Sequence, residues 1–178
     1  MTIKSYDPQK SLYTLAYPNE EVREGFLRCL MQNYADPVKD TNSIFLINFT
    51  NALDNHDIDG ALTLMRAYIS NIPYDGAHHD EKHYSMIFYL VFSLSTQFVV
   101  RTEVRSAAGR SDAVIETADS VYVFEFKLDG SVEEALRQID DKGYMIPYSA
   151  NGKRLLKVGV NFDKELRTIG EWKVEEKR

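Results

Sequence analysis

The chain of 178 residues, 44% hydrophobic and 27% charged, has the composition of an ordinary globular protein and can bury one core, or a core plus a small accessory bundle. Its single cysteine excludes an internal disulfide framework and a cysteine-built zinc cage, and no run approaches the ~20 apolar residues that cross a bilayer. The formal net charge of −6 argues against a broad basic face for long duplexes, although a local basic patch is enough to hold phosphate. The N-terminus, MTIKSYDPQK, lacks an apolar secretory stretch, so a reducing, cytoplasmic setting without a membrane partner is the expectation.

There is no internal repeat, and the chain changes periodicity near residue 75. The first part, residues 1–75, reads as mainly helical. A short strand is expected at Ser11–Tyr17. Pro18-Asn19-Glu20-Glu21 then opens a helix whose Val22, Phe26, Leu27, Leu30 and Met31 recur at helical spacing. Cys29 falls within this pattern and reads as a buried core thiol. A second helix follows Thr41, with Ile44, Phe45 and Ile47 among its apolar positions. A third follows Asp57, carrying Ala61, Leu62, Leu64, Met65 and Tyr68. The cluster Asp54, His56, Asp57, Asp59 is best explained as a polar interhelical loop that supplies an N-cap. Asn71-Ile72-Pro73-Tyr74-Asp75-Gly76 reads as a hinge, and His78 and His79 as solvated loop residues.

The second part, residues 76–178, has a different rhythm. Asp80 to about Gln97 forms an amphipathic helix with Tyr84, Ile87, Phe88, Val91 and Leu94 as its buried stripe. Strand patterns follow at Phe98–Val104, Ser111–Glu116 and Val121–Leu128. Ser131-Val132-Glu133-Glu134 is a capping-box pattern opening a helix with Val132, Ala135, Leu136 and Ile139 on its apolar face. Leu155–Phe162 and a segment near Glu171–Val174 complete the strands. This order predicts an α/β unit in which three strands form a meander and the later helix crosses over to the fourth.

The third strand carries the chemistry. In Val121-Tyr122-Val123-Phe124-Glu125-Phe126-Lys127-Leu128, period-two alternation puts Tyr122, Phe124, Phe126 and Leu128 on one apolar face. The other face presents Val121 and Val123, then Glu125 and Lys127 about 7 Å apart along the strand. Charge on an interior strand is costly unless it is paired or bound to metal. Alone, such a pair is better explained by a half-exposed strand end. Gly109-Arg110-Ser111-Asp112 adds an aspartate at the entry of the neighbouring strand, where a meander can bring it beside Glu125. Two carboxylates and a lysine suit metal-assisted phosphodiester hydrolysis: hard oxygen ligands for Mg²⁺ or Mn²⁺, and an ammonium for the attacking water or the developing charge.

Gly109-Arg110-Ser111-Asp112, then Glu125-Phe126-Lys127, then Gln138-Ile139 and Tyr144 on the following helix resemble the PD-(D/E)xK nuclease superfamily. More narrowly they resemble its branch fused to an N-terminal AAA-type ATPase-like domain in bacteria. The resemblance extends to Leu12–Arg23, which is similar to the linker after the ATPase part. No P-loop is present here. It implies a restriction-endonuclease-like α/β (α+β) core, a central mixed sheet flanked by helices, over residues 76–178, preceded by the helical region. It also implies Asp112, Glu125 and the Phe126 carbonyl as metal ligands, Lys127 serving the attacking water, and Mg or Mn as cofactor. Glu81 matches a helix carboxylate that completes such sites, and is equally a first-turn acid against the helix dipole. Gln138 matches a polar residue beside the active site, with a surface helix position as the alternative. Ser111 stands where the superfamily's name has proline. Arg110 contacts phosphate or pairs with an acid, and Tyr144 and Tyr148 are core or rim aromatics. The implied partners are nucleic acid, DNA ahead of RNA, and an ATPase-like domain in cis. The alternative is a catalytically silent nuclease-like binding or regulatory module.

Overall fold

The computed structural model describes residues 1–35, 41–72, 80–95, 99–106 and 109–177, with the side chains of 35, 41–43 and 81 outside the description. A hairpin of β1 (Thr2–Asp7) and β2 (Leu12–Ala16) precedes helices α1 (Glu20–Ala35), α2 (Thr41–Asp54), α3 (Ile58–Ser70) and α4 (Glu81–Ser95). Then come β3 (Val99–Ser106), β4 (Gly109–Glu116), β5 (Ser120–Leu128), α5 (Val132–Asp141), β6 (Arg154–Asp163) and β7 (Thr168–Glu176). Strands β3 to β7 form one mixed sheet in chain order. β3, β4 and β5 are an antiparallel meander, α5 crosses over so that β6 runs parallel to β5, and β7 returns antiparallel. A mixed α/β architecture, a central sheet flanked by helices, is the restriction-endonuclease-like core that the sequence implies.

The two faces of β5 divide the interior. Tyr122, Phe124 and Phe126 enter a large core with α4, where Phe88 meets Phe124 and Phe126 edge-on at 4.8 Å. The same core takes in Leu27 and Met31 of α1, Phe45 and Phe49 of α2, and Leu62 and Met65 of α3, so the helical region packs continuously with the sheet. On the opposite face Val121 and Val123 meet Val114, Ile139, Tyr144 and Met145. The Ser131 hydroxyl and the Glu134 carboxylate exchange the reciprocal bonds of a capping box and start α5 at Val132. Val132, Leu136 and Ile139 then bury against the sheet, each worth about 1.5–3 kcal/mol.

The acidic loop before α3 is a cap, as expected. Asp57 accepts the Gly60 N–H at 2.8 Å, and Asp59 accepts the indole N–H of Trp172 at 2.8 Å. Other expectations are corrected. Cys29 is exposed: Leu27 and Met31 face α4, and Cys29, two positions from each, points away from that stripe. Val22, Phe26, Ile44 and Ile47 are also exposed, because the buried stripes run through Leu27/Met31 and Phe45/Phe49 instead. Tyr144 lies in the turn after α5, which ends at Asp141, and is buried. β1 was not expected from the sequence. Residues 73–76 of the hinge, and His78 and His79, lie outside the described residues.

Candidate active site

Asp112 is the fourth residue of β4. The β4–β5 ladder runs only from Glu116↔Val121 to Ala113↔Phe124, so Asp112 and Glu125 stand at the next level without a ladder pair between them. In its place the Asp112 Oδ2 accepts the backbone N–H of Phe126 at 2.7 Å. A carboxylate thereby satisfies a strand donor and is held in the fork where the two strands part.

Glu125 is the most buried acid of this site, at 2% exposure. Gln138, one helical turn beyond the Glu134 of the capping box, reaches down from α5 and donates its amide N–H to Glu125 Oε1. Its carbonyl oxygen accepts from Lys127 Nζ at 2.7 Å, and Lys127 Nζ stands 3.5 Å from the same Glu125 oxygen. One amide thus binds a carboxylate through its nitrogen and an ammonium through its oxygen, which fixes which way round it sits. The second oxygen, Glu125 Oε2, is buried with no hydrogen-bond partner among the described residues. Burial and, less strongly, the neighbouring Asp112 charge together push the Glu125 carboxyl up to about 7, while Lys127 pulls the other way.

Gly159, which pairs with Glu125 in the β5–β6 register, sets the height of α5. A Cβ there would stand 2.7 Å from the Val132 carbonyl oxygen and 3.1 Å from Ala135 Cβ. Only a residue without a side chain lets the helix approach closely enough for Gln138 to reach both partners. The sequence reading passed over Gly159, although a lone glycine inside a Val/Leu-rich strand is itself a mark of close backbone approach.

The site borders an open cleft of about 450 Å³ lined by Lys127, Glu134, Arg137, Gln138, Asp141 and Lys142. A larger groove of about 1040 Å³, lined by Arg23, Thr50, Asp54, Tyr89 and their neighbours, shares none of these residues. The structure therefore brings together Asp112, Glu125, Phe126, Lys127 and Gln138. The Arg110 guanidinium lies 3.4 Å from Glu103, a contact between two exposed side chains. Glu81 opens α4, but its side chain lies outside the described residues.

The donor set fits a hard divalent cation. Among the described residues no three His, Cys, Asp or Glu side chains converge as a full metal cage. Mg²⁺, however, is commonly held by one or two carboxylates and keeps several waters. An orphaned, buried carboxylate oxygen beside a second carboxylate has the chemistry of such a half-open site.

The family model described as the PD-(D/E)XK nuclease superfamily matches residues 79–172, more than half of the chain. A curated relative from Azotobacter chroococcum mcd 1, described as an uncharacterized protein in the vnfD 5′ region, is 30% identical over 174 residues. The match covers 92% of this chain and 33% of the relative, so the chain spans about a third of that protein's length. No solved structure matches. The match contains every member of the Asp112–Glu125–Lys127–Gln138 group, and the chain belongs to the PD-(D/E)XK nuclease superfamily.

Proposed function

We propose that the chain is a divalent-metal-dependent nuclease that hydrolyses phosphodiester bonds at the Asp112–Glu125–Lys127 site. One observation carries the reading above the others: Glu125 Oε2 is buried without a hydrogen-bond partner, next to a second carboxylate. That oxygen is stabilised by a proton or by a cation. Asp112, Glu125 and the Phe126 carbonyl would hold the ion, with Glu81 as a further candidate ligand. Members of the superfamily generally use divalent metal ions, and Mg or Mn suits this all-oxygen donor set. Bound there, the metal supplies charge for the phosphoryl oxygens and acidifies a water.

The protein's own groups do the remaining work. Hydrolysis adds water across one P–O bond: the water oxygen bonds to phosphorus, and the departing oxygen leaves with the electron pair and takes up a proton. Gln138 holds the Lys127 ammonium beside Glu125. From there Lys127 hydrogen-bonds the attacking water and offsets charge that develops at phosphorus. Phe124 and Phe126, on the opposite face, anchor the strand in the core so that its reactive face does not shift.

Residues 76–178 are on this reading the nuclease-like unit, and residues 1–75 an accessory region. The relative's threefold greater length supports a further domain in cis, for which the resemblance suggests an ATPase-like one. DNA is favoured over RNA as substrate. The test is a cleavage assay on plasmid, single-stranded DNA and RNA with Mn²⁺, Mg²⁺ or EDTA. Cleavage that needs metal and is lost in Lys127→Ala supports the proposal. Silence on all three substrates, with no Mn²⁺ binding at millimolar concentration, would leave a nuclease-like binding module.

A further inference from the structure

About half of the described cations of the chain lie against acids. Arg101 and Lys153 lie against Glu116, Arg110 against Glu103, Arg154 against Glu176, and Lys157 against Asp140 and Glu175. Several described cations make no ion pair, and the placement of two of them is what matters. Two of them, Arg137 and Lys142, line the cleft that contains Lys127 and Gln138. Both are exposed, and neither makes an ion pair or a side-chain hydrogen bond among the described residues.

Their placement is directional. Arg137 precedes Gln138 on α5, and Lys142 caps the same helix five residues on, about 7.5 Å further along its axis. The start of β4 packs against this end: a Cβ at Gly109 would lie 3.0 Å from the Tyr144 hydroxyl and 3.6 Å from Lys142 Cδ. Asp112 stands three residues beyond Gly109 on β4, so the strand that carries Asp112 begins beside Lys142. Two acids share the cleft, Glu134 and Asp141. Glu134 is committed to the capping box, where its Oε2 accepts the Ser131 N–H at 3.3 Å. Asp141 lies four residues after Arg137, the less favourable order for a helical ion pair, and no ion pair forms between them.

We infer that Arg137 and Lys142 form a phosphate-binding rim that seats one polynucleotide strand along α5, with successive phosphates leading to Glu125 and Lys127. The inference rests on the nuclease reading for the position of the scissile bond, but its binding step does not. An open cleft bounded by cations suits a polyanionic backbone that passes through it better than a small ligand that must be enclosed. Since the rim contacts only phosphate, it confers register and affinity, not base preference.

The test is fluorescence anisotropy with labelled single-stranded DNA, duplex DNA and single-stranded RNA, in Ca²⁺, across a salt series. The proteins are the wild type, Arg137→Ala/Lys142→Ala, Arg137→Lys, and Lys4→Ala as a remote exposed cation. The double variant is expected to bind at least about tenfold more weakly at low salt. Its log K against log salt slope should be shallower by roughly 1.4–1.8, two phosphate contacts at 0.7–0.9 each. Arg137→Lys and Lys4→Ala should keep the wild-type slope. An unchanged slope in the double variant, or a wild type that binds none of the three probes, overturns the rim. Cleavage followed in parallel separates the two ideas. Cation-dependent binding without metal-dependent cleavage keeps the rim and removes the nuclease. Cleavage with an unchanged slope does the reverse.

Discussion

Replacing Glu125 by Gln tests the electrostatics on which the metal reading depends. The carboxyl titrates at about 7 in the fold against 4.5 when unperturbed, so the folded state holds this proton more tightly than the unfolded state does. The associated stability is fully present below pH 4.5 and is lost as pH rises through 7. The total is about 3 kcal/mol, most of which falls between pH 5 and pH 8. Glutamine has the same shape and does not titrate. A constant offset from its unpartnered N–H₂ or its altered contact with Lys127 cancels when two pH values are compared. Urea unfolding in EDTA at pH 5, 6, 7 and 8 should therefore show the stability of Glu125→Gln relative to wild type rising by about 2–3 kcal/mol, a midpoint change of roughly 1 M or more. Saturating Mn²⁺ at pH 8 should remove most of the wild type's disadvantage, because a ligand that binds only the folded state stabilises it. A difference that stays flat from pH 5 to pH 8 would refute the reasoning: Glu125 would not be a strained, buried carboxylate.

Metal affinity follows from the same titration. Mn²⁺ must displace the Glu125 proton, so its affinity should climb with pH up to about 7 and level off above it, with proton release on binding below pH 7 read by calorimetry in two buffers. Gln138→Ala should lower turnover by about tenfold or more while leaving the melting temperature within a few degrees, since a partly exposed bridging amide is lost but its core neighbours remain. Rescue by Gln138→Asn is not expected, because the shorter arm does not reach both Lys127 and Glu125. Gly159→Ala should cost roughly 1–3 kcal/mol by forcing α5 off the Val132 carbonyl contact, and should reduce cleavage more than its stability loss explains. Ser131→Ala removes the capping box for about 1 kcal/mol and should leave cleavage intact at 25 °C, which separates helix stability from helix height.

Much of this site is written in local pattern. The alternation of Tyr122, Phe124 and Phe126 against Val121, Val123, Glu125 and Lys127 assigns both faces of β5, and the structure divides them in that way. The S-V-E-E motif gives the start of α5 to the residue. What local pattern does not hold is the end of a ladder. That β4 parts from β5 after Ala113, and that Asp112 then takes the Phe126 N–H, depends on the third dimension. Arg110 was open for the same reason. Its partner Glu103 sits at φ 52°, a left-handed residue within β3 that no propensity predicts. β1 escaped notice because its apolar residues Ile3 and Tyr6 stand three apart, off the two-residue rhythm of a strand, and its side chains are nearly all exposed. For Cys29, helical periodicity gave the element correctly and the wrong face. Leu27, Leu30 and Met31 form the narrower stripe that α4 covers.

The apolar side of the site supports the ligand reading from another direction. At Glu125 an uncharged glutamine would fill the same volume without the cost of about 3 kcal/mol, a large share of the ~5–15 kcal/mol that keeps a domain folded. The surrounding packing gives no reason for the charge: Phe124 and Phe126 flank it on the other face, and Gly159 beside it lies under α5. Neither does Lys127, which touches only one of the two oxygens and is itself held by Gln138. A carboxylate kept in a dry position, half satisfied and next to a second carboxylate, lowers stability in the empty protein and raises affinity for a cation by the same electrostatic interaction. The instability and the proposed activity are therefore coupled, and a substitution that relieves the first should abolish the second.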